Sequence, residues 1–176
     1  MGAINLQGEN IALRALEPED LEFLFSVEND TAGWELSNTQ APFSKHILKQ
    51  YLANAHQDIY EAKQLRLVIT HKTDKKLVGF IDLFEFDPKN RRAGVGLMLV
   101  ANERNKGFGK EALQLLCEYA IAAFDLHQLF ANITSDNLAS IALFEKQGFS
   151  RIGNKKDWNI SKGNYKDELL YQYIKG

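Results

Sequence analysis

The order of apolar and polar residues divides the chain into short segments that have the period of strands or of helices. Residues 11–16 alternate apolar and polar side chains and end at a Glu-Pro-Glu-Asp run, which is typical of the first turn of a helix. Residues 110–124 carry the clearest helical stripe, made of Ala112, Leu113, Leu116, Tyr119, Ala120 and Ala123. These patterns predict a strand and a helix near the start of the chain, and a long helix in its middle.

Over the whole chain, the two periods predict the order β-α-α-β-β-β-α-β-α-β-β. The predicted strands cover residues 11–16, 65–70, 77–86, 93–100, 129–134, 149–155 and 168–174. Further helices are predicted after Pro42, with Ser44 as the N-cap, and over residues 137–147. Residues 32–41 are predicted to form an irregular loop. A single mixed sheet with helices on its faces is the simplest packing of these elements.

The composition is that of one globular domain covering residues 1–176, because 45% of the residues are hydrophobic and 25% are charged. The net charge of -2 gives no attraction to phosphates, so we expect no nucleic-acid partner. The chain has one cysteine, no signal-peptide pattern at its start and no apolar run near ~18 residues. We therefore expect a soluble cytoplasmic protein without a membrane partner. The four histidines lack ligand spacing, so no metal site is expected.

A glycine-containing loop at residues 104–110 is the first candidate for chemistry. It joins a predicted strand to the N-terminus of the long helix, where unpaired N–H groups and the helix dipole favour an anion. Arg104, Lys106 and Lys110 add positive charge, which suits a pyrophosphate better than a single carboxylate.

Two known phosphate-binding motifs and a simple helix cap are the other interpretations of this loop. A P-loop is excluded, because Arg104 stands where its first glycine should be and Glu111 follows Lys110. Residues 107–112 match the dinucleotide fingerprint G-x-G-x-x-A, but loop residues separate it from its strand and no acid ends the next strand. A turn that only caps the helix is the structural alternative.

Two motifs resemble those of the GNAT superfamily of N-acetyltransferases. Residues 100–112 resemble its R-x-x-G-x-G/A motif, which in that family holds the coenzyme A pyrophosphate on backbone N–H groups. Residues 137–149 resemble its N-x-x-(A/S)-x-x-(L/I)-Y-x-K-x-G-F helix, at the expected distance downstream. Segments 13–20, 91–96 and 163–167 resemble the branch of ribosomal-protein-alanine and polyamine (spermidine) N-acetyltransferases.

This resemblance implies an α+β GNAT acyl-CoA N-acyltransferase fold, with about four helices flanking a mixed, mostly antiparallel sheet of about seven strands. It implies transfer of an acetyl group from acetyl-CoA to a primary amine by direct attack in a ternary complex. A peptide N-terminus, a polyamine and a small amino metabolite all fit as the acceptor, and the resemblance does not distinguish between them. A homodimer is compatible with it. The alternative is a non-catalytic acyl-CoA-binding or regulatory protein.

The coenzyme-binding residues that the resemblance implies lie on one strand, the glycine loop and one helix. They are Met98, Leu99, Val100, Arg104, Asn105, Lys106, Gly107, Phe108, Gly109, Lys110, Asn137, Ser140, Phe144 and Lys146. The main chain of the strand residues is expected to pair with the pantetheine arm as an extra strand would. Relatives have a tyrosine in place of Phe144, whose hydroxyl can protonate the departing thiolate. Phenylalanine cannot donate a proton, which leaves the general acid open.

Two acids of one predicted strand, Asp82 and Glu85, are candidates for the base that takes a proton from the substrate ammonium. Their odd spacing predicts that they lie on opposite faces of the strand. Asp82 is expected to interrupt an apolar face formed by Phe80, Phe84 and Phe86. An edge or surface position is the alternative for both acids.

Further candidates lie outside that strand. The resemblance implies that Trp34 and Glu35 line the acceptor cleft, and Tyr165 is a candidate for the acceptor wall or a proton relay. Surface or packing roles are the alternatives for these residues. Cys117 lies inside the long predicted helix without a nearby histidine, so we expect an inert thiol rather than a nucleophile.

Overall fold

The computed structural model describes residues 5–176 and contains one seven-stranded sheet. Residues 1–4, which belong to the start that lacks a signal-peptide pattern, lie outside the described residues. The strands are β1 Ile11–Ala15, β2 Leu65–His71, β3 Leu77–Asp87, β4 Arg92–Leu99, β5 Gln128–Thr134, β6 Ser150–Ser161 and β7 Asn164–Ile174. Their order in the sheet is β1-β2-β3-β4-β5-β7-β6, and neighbours are antiparallel except for β4 and β5. The predicted mixed, mostly antiparallel sheet is confirmed.

Six α-helices connect these strands within residues 5–176, rather than the expected four. They are α1 Leu21–Glu28, α2 Trp34–Ser37, α3 Lys45–Ala53, α4 Ile59–Ala62, α5 Phe108–Phe124 and α6 Leu138–Lys146. The two additional helices, α2 and α4, have four residues each, and so short a segment carries no repeating pattern. Helix α2 lies inside the stretch that was predicted to be an irregular loop. No helix of this part of the chain is long and apolar enough to span a membrane.

Helices cover both faces of the sheet. Helix α5 packs on one face, where Leu113 and Leu116 are fully buried. Helices α1 and α3 pack on the other face, where Leu24 and Leu48 belong to a second core cluster together with Phe80 of β3. Burying both faces in this way accounts for the continuous buried runs of the central strands β2 and β3 and holds β4 between two layers.

A β-bulge near the end of β3 changes which side chains share a face. The register of β3 against β4 shifts after Phe84, and Glu85 has a left-handed φ of 47°. The extra residue reverses the alternation, so Phe86 joins the α5 side of the core instead of the face that holds Phe80. The predicted face of Phe80, Phe84 and Phe86 is therefore wrong at Phe86.

Strands β4 and β5 pair only over a short distance and then separate. Their parallel pairing runs from Arg92 opposite Gln128 to Gly94 opposite Phe130 and continues no further. Strand β5 pairs instead with β7 along its whole length. The sheet therefore opens into a wedge between the C-terminal halves of β4 and β5, which is the position where parallel sheets present their functional groups.

Candidate functional site

A cleft of about 160 Å³ occupies the wedge between β4 and β5 and extends through the sheet. Its walls come from both strands, from α2 and α6, and from the C-terminal hairpin of β6 and β7. The lining residues are Glu35, Leu36, Asn38, Val95, Gly96, Leu97, Ala131, Asn132, Ile133, Thr134, Asn137, Ser140, Phe144, Asn159 and Glu168. The cleft thus brings together Glu35, Asn137, Ser140 and Phe144, four of the residues that the sequence singled out.

The backbone of β4 faces this cleft at alternate residues. Because the N–H of Val100 donates to the Val78 carbonyl at 3.0 Å, Val100 points toward β3. Alternation places the main chain of Met98 on the same side, and that of Leu97 and Leu99 on the cleft side. Of the predicted strand contacts, Leu99 has the orientation needed to pair with a ligand, whereas Met98 and Val100 do not. Leu97 is the residue that sequence reasoning missed.

The glycine loop before α5 presents a series of unpaired N–H groups. Asn105 and Gly107 have left-handed φ angles of 60° and 85°, which turn the chain sharply into the helix. Within residues 5–176, none of the backbone N–H groups from Asn105 to Lys110 has a hydrogen-bond acceptor. The helix dipole adds partial positive charge at this point. Free main-chain donors at a helix N-terminus favour an anion.

The cationic side chains of the loop are less available than the sequence suggested. The Arg104 Nε donates to the Leu99 carbonyl at 3.0 Å, so this side chain folds back on the end of β4. The Lys106 ammonium donates to Glu103 at 3.2 Å. Lys110 makes no ion pair within 4.0 Å among the described residues. One of the three predicted cations is therefore uncommitted.

Packing explains why a glycine stands at position 109 and a phenylalanine at position 108. A Cβ added to Gly109 would lie 3.3 Å from Leu99 Cδ1 and 3.4 Å from Leu143 Cδ2, where α5, β4 and α6 converge. The Phe108 ring packs edge-on against His71, with the ring centroids 4.8 Å apart. Both residues can therefore serve an anion through their N–H groups only.

A buried carboxylate, Glu103, fixes the position of the loop and was missed by sequence reasoning. Its side chain is fully buried and accepts hydrogen bonds from Lys76, from Lys106 and, at 3.1 Å, from His71 Nε2. The hydrogen bonds from Lys76 and His71 lower the pKa of Glu103 to about 2. The glycine loop is thereby tied to the hairpin of β2 and β3.

Replacing Glu103 with glutamine should remove a pH-dependent part of the stability. The folded pKa of about 2 lies below the ordinary 4.5, so the stabilisation is complete above pH 4.5 and is lost as the pH falls toward 2. Urea unfolding at a series of pH values should show the free-energy difference between wild type and Glu103→Gln shrinking across this window. The control is Glu118→Gln, an exposed acid of α5. A difference for Glu103→Gln that is constant with pH would contradict this account.

Helix α6 supplies the second wall of the cleft. The Asn137 side chain caps the helix by accepting from the Ser140 N–H at 3.2 Å, and its amide group remains at the cleft. Phe144 is buried and packs against Phe149 with ring centroids 5.0 Å apart. Lys146 is exposed at the end of the helix and does not line the cleft.

The acceptor residues predicted in the loop after α1 divide between two positions. Glu35 lines the cleft, whereas the Trp34 indole donates to the Glu28 carbonyl at 2.9 Å and so ties α2 to the end of α1. Opposite them, Glu168 of β7 also lines the cleft. It pairs with Lys155 at 2.5 Å and accepts from Asn159 at 3.0 Å. Sequence reasoning missed Glu168 because it assigned this residue only to a strand.

The three predicted catalytic residues lie outside the lining of the cleft. Asp82 binds Arg66 through both carboxylate oxygens, at 2.8 and 3.0 Å, and lies on the face of the sheet toward which a Cβ on Gly96 would point, at 3.9 Å. Glu85 is exposed at the bulge, near the closed end of the wedge. Tyr165 is 66% exposed near the tip of the hairpin, because the alternation of β7 turns it away from the face of Glu168.

Two other side chains with reactive groups are Thr134, which lines the cleft, and Cys117, which does not. The hydroxyl of Thr134 is a buried side-chain oxygen without a hydrogen-bond partner among the described residues. Cys117 is buried in α5, and this burial raises the pKa of its thiol to about 12, which agrees with an inert side chain. In residues 5–176, no group of three or more His, Cys, Asp or Glu side chains is placed to hold a metal ion.

Comparison with known proteins gives concordant results for family and fold. Residues 10–150 match the Acetyltransferase (GNAT) domain family. The chain is 27% identical over 164 residues to the SPbeta prophage-derived uncharacterized N-acetyltransferase YokL of Bacillus subtilis (strain 168), covering 93% of this chain and 89% of that protein. It is 24% identical over 160 residues to the spermidine N(1)-acetyltransferase of Vibrio cholerae, covering 89% and 88% of the two chains.

A solved structure has the same fold over nearly the whole chain. The crystal structure of spermidine N-acetyltransferase from Vibrio cholerae in complex with CoA and spermine superimposes with a TM-score of 0.85. The match covers 94% of this chain and 95% of that one, at 22% identity. At this identity, the likeness describes the fold alone.

Proposed function

Because the chain belongs to the GNAT acetyltransferase family, we propose that it transfers the acetyl group of acetyl-CoA to a primary amine in the cleft between β4 and β5. The observation that carries this assignment is the series of unpaired N–H groups from Asn105 to Lys110 at the start of α5. They fit the diphosphate of the coenzyme, since an anion needs donors and no covalent partner. Lys110, the one cation of this loop that forms no ion pair or side-chain hydrogen bond among residues 5–176, adds to the same attraction.

The wedge fits the remaining parts of the coenzyme. The cleft-facing main chain of Leu97 and the Leu99 N–H provide a strand edge for the amide groups of the pantetheine arm, whereas the Leu99 carbonyl already accepts from Arg104. This edge leads from the glycine loop into the cleft, where Asn137 and Ser140 offer side-chain contacts. A β4 N–H group beside the thioester carbonyl stabilises the charge that develops on its oxygen during attack.

The acceptor amine must lose a proton before it attacks the thioester carbonyl. Glu168 is our candidate for the proton acceptor, acting directly or through water, because it is an acid that lines the cleft. Asp82 does not line the cleft, and its two oxygens hold Arg66 in place. The Gly96 position, without a side chain, leaves room for the acceptor beside the thioester.

The departing thiolate needs a proton that Phe144 cannot donate. Thr134 lines the same cleft, and its buried hydroxyl has no hydrogen-bond partner in the part of the chain that the structure describes. A free thiol has a pKa of about 8.5, so its thiolate is a tolerable leaving group, which a hydrogen bond assists and a stronger proton donor would assist further. We assign this assisting role to Thr134.

Replacing Phe144 with tyrosine should raise kcat by roughly tenfold, because it adds a proton donor at the cleft wall where a proton is in short supply. The measurement is the rate of thiol release at saturating acetyl-CoA and amine. Phe149→Tyr is the matched control, since it adds the same hydroxyl to a neighbouring buried ring that does not line the cleft. An unchanged kcat in Phe144→Tyr would show that protonation of the thiolate does not limit the rate.

The activity itself is tested by incubating the protein with acetyl-CoA and a panel of amines. The panel contains n-butylamine, spermidine and a short peptide with a free N-terminus, and both thiol release and product mass are recorded. We expect at least one product heavier by about 42 Da, the mass of an added acetyl group. Coenzyme binding without turnover of any amine would favour the non-catalytic alternative.

A further inference from the structure

The ammonium group of Lys166 lies between two carboxylates from distant parts of the chain. It contacts Glu35 of α2 and lies 2.6 Å from Asp136 Oδ2, in the connection between β5 and α6. The Lys166 side chain is only 25% exposed. Its hydrogen bonds lower the pKa of both carboxyls below their ordinary values. Three segments therefore meet at one cation.

This cluster of Lys166, Glu35 and Asp136 lies at the acceptor end of the cleft. Glu35 itself lines the cleft, and Asp136 is flanked along the chain by the lining residues Thr134 and Asn137. Lys166 precedes Glu168 by two residues on β7, so the two side chains project from the same face of the strand. An amine that enters from this end passes the cluster before it reaches the thioester.

The other acid at this end, Glu168, is also paired within the chain. Lys155 of β6 lies 2.5 Å from its carboxylate. Each of the three carboxylates, on Glu35, Asp136 and Glu168, is thus paired with a lysine of the C-terminal hairpin. A second ammonium group on an acceptor would have to displace one of these tethered cations. A tethered group competes at an effective concentration in the millimolar range or above, so displacement is costly for a diffusing amine.

Resting on the proposed function, we infer that Lys166 determines acceptor specificity, by excluding amines that carry a second positive charge and favouring acceptors with a single ammonium group. The attacking amine itself does not require the carboxylates that Lys166 occupies, because it must be neutral when it reacts. Lys166 acts here as a built-in replacement for the distal ammonium of a polyamine.

The inference is tested by comparing spermidine with n-butylamine as acceptors for wild type and Lys166→Met. Methionine keeps an unbranched side chain of similar length and removes the charge. Wild type should have the higher kcat/KM for n-butylamine, and Lys166→Met should shift the ratio of the two kcat/KM values toward spermidine by about tenfold. The shift should fade in 0.5 M NaCl, because salt screens partly exposed charges.

Two further variants separate charge from structure. Lys166→Arg retains the cation and should keep the wild-type ratio. Lys156→Met makes the same change of net charge at an exposed position of β6 that forms no ion pair within 4.0 Å among the described residues, and it should also keep that ratio. If Lys166→Met lowered kcat/KM equally for both acceptors and independently of salt, Lys166 would only hold α2 in place.

An unchanged ratio in Lys166→Met would overturn the inference and leave the proposed function intact, since n-butylamine would still be acetylated. Wild type that prefers spermidine over n-butylamine would overturn it as well. Absence of turnover with every amine in every variant is a different outcome, because it would remove the proposed function and this inference together.

Discussion

Gly107→Val should weaken binding of CoA by about ten- to hundredfold, measured by calorimetry. Gly107 has a φ of 85°, which a β-branched residue adopts only at a cost on the order of 1–3 kcal/mol. The loop can relieve this strain by rotating, and rotation would misdirect the N–H groups from Asn105 to Lys110. Because those groups are the main donors for the diphosphate, affinity should fall with little change in the rest of the cleft.

Gly163→Val is a matched control for this variant. Gly163 has a φ of 81° in the turn between β6 and β7, and neither glycine has an atom within 4 Å of an added Cβ. The two substitutions therefore carry the same backbone strain, and urea unfolding should show similar losses of stability. The affinity of Gly163→Val for CoA should stay within about twofold of wild type, since the sites are independent. Equal losses of affinity in both variants would contradict a specific role of the loop.

Glu168→Gln should lower kcat/KM for the amine by roughly 10²-fold and leave the affinity for CoA unchanged. Glutamine can still accept the hydrogen bond from Asn159 at 3.0 Å, so the cleft should keep its shape. What is lost is the negative charge that attracts the substrate ammonium and takes its proton. Steady-state kinetics at saturating acetyl-CoA, together with calorimetry on CoA, separates this effect from damage to the coenzyme site.

Asp167→Asn serves as the control for Glu168→Gln. Asp167 is the next residue of β7 and projects from the opposite face, where its carboxylate accepts from Asn154 and from the Asp157 N–H, both at 2.9 Å. Its substitution should change kcat/KM by no more than about threefold, as for a position away from the reacting groups. Full activity in Glu168→Gln would rule out this acid as the proton acceptor.

Local patterns were sufficient to predict most of the fold. The period-2 segments identified the strands, and the apolar stripe of residues 110–124 identified α5, which begins at Phe108. Capping by Ser44 and Asn137 was also predictable, because an N-cap side chain bonds to a backbone N–H three residues later. The bulge at Glu85 was not, since an extra residue in a strand leaves the composition unchanged and only reverses the alternation after it.

The polar contacts of the site depend on residues that are far apart in the chain. Lys166 and Glu35 are separated by 131 positions in the sequence. Glu103 is separated from its partners His71 and Lys76 by 32 and 27 positions. No local pattern marks such pairs, because each partner alone is typical of a solvated surface. The glycine loop could be identified as a candidate because its proposed function uses consecutive N–H groups, and its binding of the coenzyme stays a prediction. The single-domain assignment, the homodimer and the cytoplasmic location stay predictions.

The contact between the glycine loop and the coenzyme can be observed directly by following backbone amide resonances during titration with CoA. We predict that the amide protons of Asn105 to Lys110 shift most, because they gain an anionic acceptor, and that pantetheine, which lacks the diphosphate, leaves them nearly unchanged. Saturable binding of CoA with no change at these amides, or no binding at millimolar CoA, would contradict the account.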